Sequence, residues 1–309
     1  MSFFVALNVT GAVEVFEMFG QKNSKAYLEI TNVCNLSCSF CHGTSRKPRF
    51  MTLTEFETAA RKLRPYCEYL YLHLMGEPLL HPQLGEILEC AADLNFKVIL
   101  TTNGTLLGRK SAPLLDSKAL FKVSVSIHSF DVNDMASLGC SSFDDYFAVC
   151  SDFCDAAAER GVICVYRLWN NEGDTAPEVQ NAETLAVMRA HYPGEWKKIY
   201  SGYRLSESKI FLEWGKRFEW PDAAPEKSAT ENHAHSCYGL CDQIGVLCDG
   251  SIVPCCLDAD GAITLGNIFT DSIDDVLSSP RAVALRESFE KRTVAEPLCL
   301  HCGYAARYK

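Results

Sequence analysis

The sequence predicts an α/β fold in which six strand and helix units curl into an open, partial barrel, followed by a smaller α+β unit. Two observations carry this prediction. From residue 26 onward, short apolar runs alternate with amphipathic helical stretches. After about residue 215 the composition changes, first to a polar segment that contains proline and then to a cysteine-rich tail. Ligands bind at the carboxyl ends of the strands in such sheets, so functional residues are expected there.

Six strands are predicted from runs rich in β-branched and aromatic residues, at 26–31, 69–75, 96–102, 120–127, 162–168 and 209–214. Helices are predicted between them, at 52–63, 83–94, 142–160 and 178–191. The first helix begins with Thr52 and Glu55 in the spacing of a capping box. The third ends at Gly161, and glycine commonly stops helices. Repeated units of this kind build a parallel sheet with right-handed crossovers.

The tail is predicted to contain a hairpin followed by two helices. Asp249 and Gly250 form a strong turn signal between two apolar runs. Helices are expected at 272–279 and 282–292. By composition the chain therefore divides into four segments: a strand or hairpin extension at 1–24, the barrel at 25–219, a linker at 220–236 and the tail at 237–309.

Charge and hydrophobicity exclude several classes of protein. The chain has 29 Lys and Arg against 39 Asp and Glu, and this formal charge of -10 argues against binding to nucleic acid. No apolar run approaches the ~20 residues of a membrane span. The N-terminus carries Glu14 and Glu17 and has no basic start, unlike a signal peptide. A cytoplasmic protein without nucleic acid or membrane partners is therefore expected.

Sixteen cysteines are many for an intracellular protein. Disulfide frameworks belong to small secreted domains, so metal or cluster ligation is the favoured explanation. Six cysteines stand singly within predicted helices and strands and are expected to be buried apolar residues: Cys67, Cys90, Cys140, Cys150, Cys154 and Cys164. The others fall into two groups, one after the first strand and one in the tail.

The first group is Cys34, Cys38 and Cys41. On a helix they would share one face, but Asn35 and Ser37 favour a loop, and the segment follows a strand directly. A structural zinc site needs four ligands, and no fourth cysteine follows nearby. Three thiolates on a [4Fe-4S] cluster leave one iron open. The spacing therefore predicts an iron–sulfur cluster with an open iron.

This loop resembles the C-x3-C-x2-C motif of the radical S-adenosylmethionine (SAM) superfamily, whose open iron binds SAM. Phe40 matches the aromatic position that contacts adenine in that family. The segment MGEPLLHP resembles the GGEP motif, with Met75 in place of the first glycine. The resemblance implies that Gly76 and Glu77 meet the methionine amino group of SAM.

Later strand ends resemble the family as well. Thr102 and Asn103 match its TNG turn, and Ser126 matches a residue that contacts the cofactor. Many relatives have aspartate where this chain has His128, so His128 is expected to act on the substrate. Arg167 is expected to pair with the cofactor carboxylate, with a surface salt bridge as the alternative.

Three further residues are substrate-side candidates, although each could equally belong to the core or the rim: His73, Trp169 and Tyr203. The fold that the resemblance implies is a partial (β/α)6 TIM-like barrel. The chemistry it implies is reductive cleavage of SAM to a 5'-deoxyadenosyl radical that abstracts a substrate hydrogen. The electron would come from a low-potential donor such as flavodoxin or ferredoxin.

The tail resembles the twitch domain, the short form of the SPASM domain, which carries an auxiliary [4Fe-4S] cluster. The ligands implied are Cys237, Cys255, Cys299 and Cys302. Three other tail cysteines compete for these roles: Cys241, Cys248 and Cys256. A zinc knuckle with four cysteines is the alternative. A full SPASM domain would continue with two more cysteines, so a single closed auxiliary cluster is expected.

Three functions are compatible with these features. The favoured one is oxidation of a small polar molecule, in which the auxiliary cluster accepts an electron from the substrate radical. A peptide maturase that forms a cross-link or an epimer is the alternative. Such maturases often carry a leader-binding domain, and the short segment before the first strand favours a small molecule. A non-catalytic iron–sulfur or zinc scaffold is the least favoured.

Overall fold

An eleven-stranded sheet organises the described part of the chain in a computed structural model of the protein. The structure describes residues 24–133, 135–171, 173–223 and 234–307. The strands are β1 Lys25–Leu28, β2 Tyr69–Tyr71, β3 Lys97–Thr102, β4 Leu120–Val125, β5 Ile163–Asn171, β6 Lys197–Ile199, β7 Gly202–Arg204, β8 Ile210–Lys216, β9 Gln243–Val246, β10 Ser251–Val253 and β11 Gly266–Asn267. The predicted extension at 1–24, apart from Ser24, and most of the predicted linker lie outside the described residues.

Six parallel strands form the partial barrel, in the order β1-β2-β3-β4-β5-β8. They correspond to the six predicted strands, so the predicted α/β class and partial barrel are confirmed. Strand β2 is shorter than predicted, because the chain turns away at residues 74–76 and Gly76 takes a φ of +75°. A hairpin that the sequence did not indicate, β6 and β7, extends the sheet antiparallel beyond β8.

Ten α-helices flank the strands within the described ranges: α1 Leu53–Leu63, α2 Leu84–Asp93, α3 Leu107–Leu115, α4 Met135–Leu138, α5 Phe143–Glu159, α6 Pro177–Gln180, α7 Ala182–His191, α8 Ile273–Ser278, α9 Pro280–Lys291 and α10 Pro297–Leu300. The capping box at Thr52 and Glu55 is present. The helix expected at 178–191 is present as two helices, α6 and α7, interrupted at Asn181, whose φ of -109° and ψ of 25° are not helical. At this break the buried side-chain amide of Asn181 accepts a hydrogen bond from Asn170 Nδ2 and donates one to the Pro177 carbonyl. No described helix is long and apolar enough to cross a membrane.

The two faces of the barrel sheet differ in chemistry because side chains alternate along each strand. One face packs against the helices and is largely apolar, as at Leu28, Leu70 and Val123. The other face lines an internal cavity with polar and aromatic residues, as at Tyr71 and Ser124. Parallel strands buried on both faces are usually apolar throughout, so this alternation marks the interior as a binding site.

The tail joins the barrel through its strands. Strand β9 pairs in parallel with β1, from Lys25 opposite Gln243 to Leu28 opposite Val246. Strands β10 and β11 then continue the sheet antiparallel. The free edge of β1 is thereby covered by the segment that carries the second group of cysteines.

Candidate active site

The first cysteine group lies on a loop that leaves β1 and returns to it. Asn32 closes the base of this loop: its amide donates to the Lys47 carbonyl (2.9 Å), and its Oδ1 accepts from the Arg49 backbone N–H (2.7 Å). An antiparallel bridge between Thr31 and Phe50 lies beside it. The three thiols are thus presented at the carboxyl end of β1, as the sequence predicted.

Each of the three thiols accepts a hydrogen bond from an N–H group. The distances are 3.5 Å from Leu36 N to Cys34 Sγ, 3.1 Å from Asn133 Nδ2 to Cys38 Sγ and 3.4 Å from Gly43 N to Cys41 Sγ. Such donors favour the thiolate, which is the form that ligates iron. Burial nevertheless raises the pKa of Cys34 to about 11, and cluster binding must therefore displace its proton. The donor set fits an iron–sulfur cluster.

Glu77 lies behind this loop and is only 2% exposed. Its carboxylate accepts hydrogen bonds from the Asn103 N–H (2.7 Å), the Leu79 N–H (3.1 Å) and the Thr102 hydroxyl (2.8 Å). Burial raises the pKa of Glu77 to about 7, although these three donors act in the opposite direction. The Asn103 amide also donates to Asn35 Oδ1 (3.0 Å), which joins this turn to the cysteine loop.

Gly76 packs against the backbone of the strand that enters the cysteine loop. A Cβ atom at this position would lie 2.5 Å from the Thr31 carbonyl oxygen and 2.8 Å from that of Val33. Its φ of +75° also disfavours any residue with a side chain. Only glycine allows the motif to approach the loop this closely.

Replacing Gly76 with alanine is expected to destabilise the protein. The backbone strain costs about 1 kcal/mol, and the clash with Thr31 adds roughly 1–3 kcal/mol. Gly139→Ala is the matched control, because Gly139 has a φ of +69° and a Cβ atom there would meet no described atom within 4 Å. Thermal unfolding should show a larger loss for Gly76→Ala; equal losses would contradict the close-packing explanation.

A cavity of about 500 Å³ occupies the barrel interior and extends to the tail. Its barrel side includes six residues that the sequence singled out: Phe40, His73, Ser126, His128, Arg167 and Trp169. Its tail side includes Cys237, Cys255, Cys256, Cys299, Cys302 and Tyr304. These barrel residues and tail residues therefore face one space. Several predicted site residues are not among its described lining residues: Cys34, Cys38, Cys41, Gly76, Glu77, Thr102 and Asn103. Tyr203 is not among the described lining residues; its hydroxyl bonds with Glu178 (3.0 Å) outside the cavity.

Arg167 lies in the cavity wall and not in a surface salt bridge. Its guanidinium stacks on Trp169, 3.4 Å from the ring centroid. Its Nε is buried and finds no hydrogen-bond partner among the described residues. Burial lowers the pKa of Arg167, and Glu213 on the neighbouring strand acts in the opposite direction.

Three histidines line the described cavity, and two of them, His73 and His128, are neutral at physiological pH. Burial lowers the pKa of His128 to about 4 and that of His73 to about 3. His128 Nδ1 lies 2.8 Å from the Arg167 carbonyl oxygen, which only accepts, so Nδ1 carries the proton and Nε2 the lone pair. His73 Nε2 lies 3.2 Å from Thr101 Oγ1, and its buried Nδ1 has no partner among the described residues.

The tail thiols predicted as ligands influence one another across the cavity wall. Burial raises the pKa of Cys237 to about 12, and Cys302 and Cys241 raise it further. Burial also raises the pKa of Cys255, with added contributions from neighbouring thiols that include Cys237 and Cys299. Four such thiols are the donor set of an iron–sulfur cluster. No three His, Cys, Asp or Glu side chains in the described ranges are arranged to hold a single metal ion.

The three competing tail cysteines have other surroundings. Cys241 and Cys248 are not among the described residues that line the cavity. Cys248 lies against the barrel, with its Sγ 3.6 Å from an Arg46 amino group. Cys256 lines the cavity, and its electrostatic neighbours there include Tyr27 and Arg167.

A buried ion pair connects the cysteine loop to the tail. The fully buried carboxylate of Glu29, at the end of β1, accepts from the Arg46 guanidinium (2.8 Å), the Met75 N–H (3.1 Å) and the Cys248 N–H (3.2 Å). The Arg46 Nε also donates to the Ala259 carbonyl (2.8 Å). One carboxylate thus joins the loop, the turn after β2 and the tail.

Sequence reasoning missed several cavity residues: Tyr27, Tyr71, Lys122, Glu213 and Tyr304. Four of them lie in strands, and the positions directly before and after each one are apolar: Tyr27, Tyr71, Lys122 and Glu213. That alternation was visible in the sequence and could have indicated the strand face that lines the cavity. Tyr304 carried no such signal, since it follows the last cysteine.

The thiols of the loop and the tail are donors that suit iron–sulfur clusters. Comparison with known proteins gives the family. Residues 28–185 match the model of the radical SAM superfamily, and residues 237–303 match that of SPASM, an iron–sulfur cluster-binding domain. The chain belongs to the radical SAM superfamily. Its cofactors are SAM, the [4Fe-4S] cluster that binds SAM and an auxiliary iron–sulfur centre in the tail.

Individual relatives differ in what their names describe. A protein of Methanocella arvoryzae named a probable GTP 3',8-cyclase is 24% identical over 302 residues, 91% of this chain and 96% of that protein. The subtilosin biosynthesis protein AlbA of Bacillus subtilis is 25% identical over 268 residues, 82% of this chain and 59% of AlbA.

Solved structures share the fold at low sequence identity. SuiB of Streptococcus suis is similar with a TM-score of 0.59 at 15% identity, over 86% of this chain and 68% of SuiB. The anSMEcpe structure with bound AdoMet has a TM-score of 0.60 at 15% identity, over 92% of this chain and 90% of that chain. At this identity the similarity concerns the fold alone.

Proposed function

We propose that the protein oxidises a small polar molecule by radical SAM chemistry and passes an electron from the substrate to the auxiliary cluster. The observation that supports this is the single cavity lined by both Phe40 and His128 on the SAM side and by Cys255 and Cys299 on the tail side. A substrate bound there would lie beside both the radical source and the electron acceptor. When bound and reduced, the cofactors supply a 5'-deoxyadenosyl radical that abstracts a hydrogen atom.

The residues around the cysteine loop are proposed to hold SAM. Cys34, Cys38 and Cys41 would ligate its cluster, and Glu77 with Gly76 would bind the amino group. The others proposed to contact SAM are Phe40, Thr102, Asn103 and Ser126. The auxiliary cluster in the tail would have four protein ligands: Cys237, Cys255, Cys299 and Cys302. A low-potential donor such as flavodoxin or ferredoxin would reduce the first cluster.

The two neutral histidines are proposed to orient the substrate. His128 Nε2 carries a lone pair, and His73 Nδ1 has no partner among the described residues, so each can hydrogen-bond to a polar group. In an oxidation the substrate radical loses one electron and one proton. The electron would go to the auxiliary cluster, and the proton to a group hydrogen-bonded to the reacting oxygen or nitrogen.

The cavity volume favours a small substrate. A space of about 500 Å³ falls in the ordinary range for small-molecule sites. The Methanocella relative is named for GTP, a small molecule. The peptide alternative is supported by the AlbA relative and by structures of SuiB with its precursor peptide and of anSMEcpe with a peptide.

Anaerobic turnover with SAM and dithionite tests the proposal. Deuterated candidate substrates should transfer deuterium to 5'-deoxyadenosine, and the product should be lighter by the two hydrogens lost in an oxidation. Cys34→Ala should form no 5'-deoxyadenosine. A product of unchanged mass, or turnover of peptides alone, would contradict oxidation of a small molecule in favour of the maturase or a rearrangement.

SAM affinity is expected to rise with pH through neutrality because of Glu77. Its pKa is raised to about 7, so below that pH the carboxyl is protonated and cannot pair with the ammonium of SAM. The affinity should rise by about fivefold between pH 6 and pH 7, and by a further factor of about two above pH 7 before it levels off. Calorimetric titration with SAM at several pH values measures this dependence for wild type and for Glu77→Gln. A profile of equal slope in the variant would contradict this role, because titration of SAM itself is common to both proteins.

A further inference from the structure

Apart from the thiols assigned to the cluster, the side chains that line the cavity carry an excess of positive charge, in a chain whose formal charge is -10. Among the described residues that line it are Lys25, Lys122, Arg167 and Arg217, against the single carboxylate of Glu213. Lys25 is already paired with Asp242 at 3.1 Å. Lys122 and Arg167 have no ion pair within 4 Å among the described residues. One carboxylate thus faces two unpaired cations on the wall formed by β4, β5 and β8.

Arg167 is a buried cation that lacks a hydrogen-bond partner for one of its N–H groups among the described residues. A guanidinium offers five N–H donors in a planar fork that matches a carboxylate or a phosphate. Trp169 covers one face of the fork, and this stacking leaves its edge available. The buried Nε has no acceptor among the described residues. Leaving such a group unpaired is costly unless a ligand supplies the acceptor.

Lys122 reinforces the positive field at the same wall. Its pKa is lowered by burial, Glu213 acts in the opposite direction, and Arg167 lowers it further. Two cations that disfavour each other's charge would both be stabilised by an anion placed near them.

Arg167 lies among cavity residues that the cofactor assignment does not use. Its electrostatic neighbours include Glu213, Tyr27, Tyr304, Cys256, His73 and His128. None of these belongs to the residues assigned to SAM. The cavity space next to Arg167 is therefore available to a substrate.

We propose that Arg167, supported by the positive field of Lys122, binds an anionic group of a small-molecule substrate, either a carboxylate or a phosphate. His73, whose Nδ1 is unpaired among the described residues of the same cavity, offers a neutral hydrogen-bond partner beside this site. The inference deepens the proposed function, since it names the substrate class of the same cavity. The sequence predicted that Arg167 pairs with the cofactor carboxylate, whereas this inference assigns Arg167 to the substrate.

Binding of simple anions to the reconstituted protein tests the inference. The probes are inorganic phosphate, succinate and the neutral succinamide, titrated by calorimetry under anaerobic conditions with SAM present. Wild type should bind phosphate or succinate and not succinamide. Arg167→Gln should weaken the binding of the anion by roughly 10- to 100-fold, and Lys122→Met by a smaller factor. Arg167→Lys should retain part of the affinity, which separates loss of the site from misfolding.

The matched control is Lys97→Met. It removes the same charge from the neighbouring strand β3, where Lys97 is 43% exposed and paired with Glu68 outside the cavity. Its anion affinity should equal that of wild type. SAM affinity should be unchanged in every variant.

Several outcomes would overturn the inference. The first is that wild type binds neither anion, and the second is that wild type and Arg167→Gln bind the anion equally well. The third is loss of SAM binding in Arg167→Gln, which would show that Arg167 binds the cofactor. Tighter binding of an acidic tripeptide than of succinate would overturn it in favour of a peptide substrate. The probes bind without turnover, so failure of the radical chemistry would leave this result unaffected.

Discussion

Replacing Cys299 with alanine is expected to abolish product formation while SAM cleavage continues. Iron should fall from about eight to about four atoms per chain, because only the auxiliary cluster loses a ligand. The radical would still form at the loop cluster, but the substrate radical would have no electron acceptor. 5'-Deoxyadenosine should therefore accumulate without oxidised product, as quantified by mass spectrometry with parallel iron analysis.

Cys241→Ala is the matched control for this prediction. Cys241 is a buried tail thiol that does not belong to the described cavity lining. Its replacement should retain about eight iron atoms and full product formation. Loss of iron in Cys241→Ala together with retention in Cys299→Ala would show that the tail uses a different ligand set.

Replacing Glu29 with glutamine is expected to cause the largest loss of stability. Removing one partner of a buried ion pair costs about 3–5 kcal/mol, since the Arg46 charge stays buried without compensation. The Met75 and Cys248 amides would also lose a charged acceptor. For a protein of this size the melting temperature should fall by roughly 5–10 °C. Calorimetry on the anaerobically reconstituted protein measures this shift.

Glu57→Gln provides the comparison for Glu29→Gln. Glu57 pairs with Arg61 at 2.7 Å, but both side chains are about half exposed. The same substitution there should cost less than about 1 kcal/mol. In a double-mutant cycle, Glu29→Gln with Arg46→Met should cost less than the sum of the single changes. Additive losses, or equal losses at Glu29 and Glu57, would show that the buried pair does not join the loop to the tail.

The parts of the site that the sequence predicted are those carried by local motifs. Cys34, Cys38 and Cys41 lie in one short loop, and Gly76 and Glu77 lie at the next strand end. Their spacing is sufficient because each strand end of a parallel sheet opens on the same edge. The fold class followed from the same strand and helix periodicity, without knowledge of any long-range contact.

The parts that the sequence did not predict depend on contacts between distant residues. The pairing of β9 with β1 joins segments more than two hundred positions apart, and no local pattern indicates that register. The partnership of Glu29 with Arg46 and Cys248 is of the same kind. Tyr203 lies outside the described cavity lining because it belongs to the hairpin of β6 and β7, which no local pattern indicates.

Electron paramagnetic resonance of the reduced protein, with and without SAM, tests the central claim that an open and a closed cluster serve one cavity. Wild type should contain about eight iron atoms per chain, and SAM should alter the signal of one cluster. The triple variant Cys34→Ala, Cys38→Ala and Cys41→Ala should retain about four iron atoms in a cluster whose signal does not respond to SAM. A triple variant without iron, or with a remaining cluster that responds to SAM, would contradict the claim.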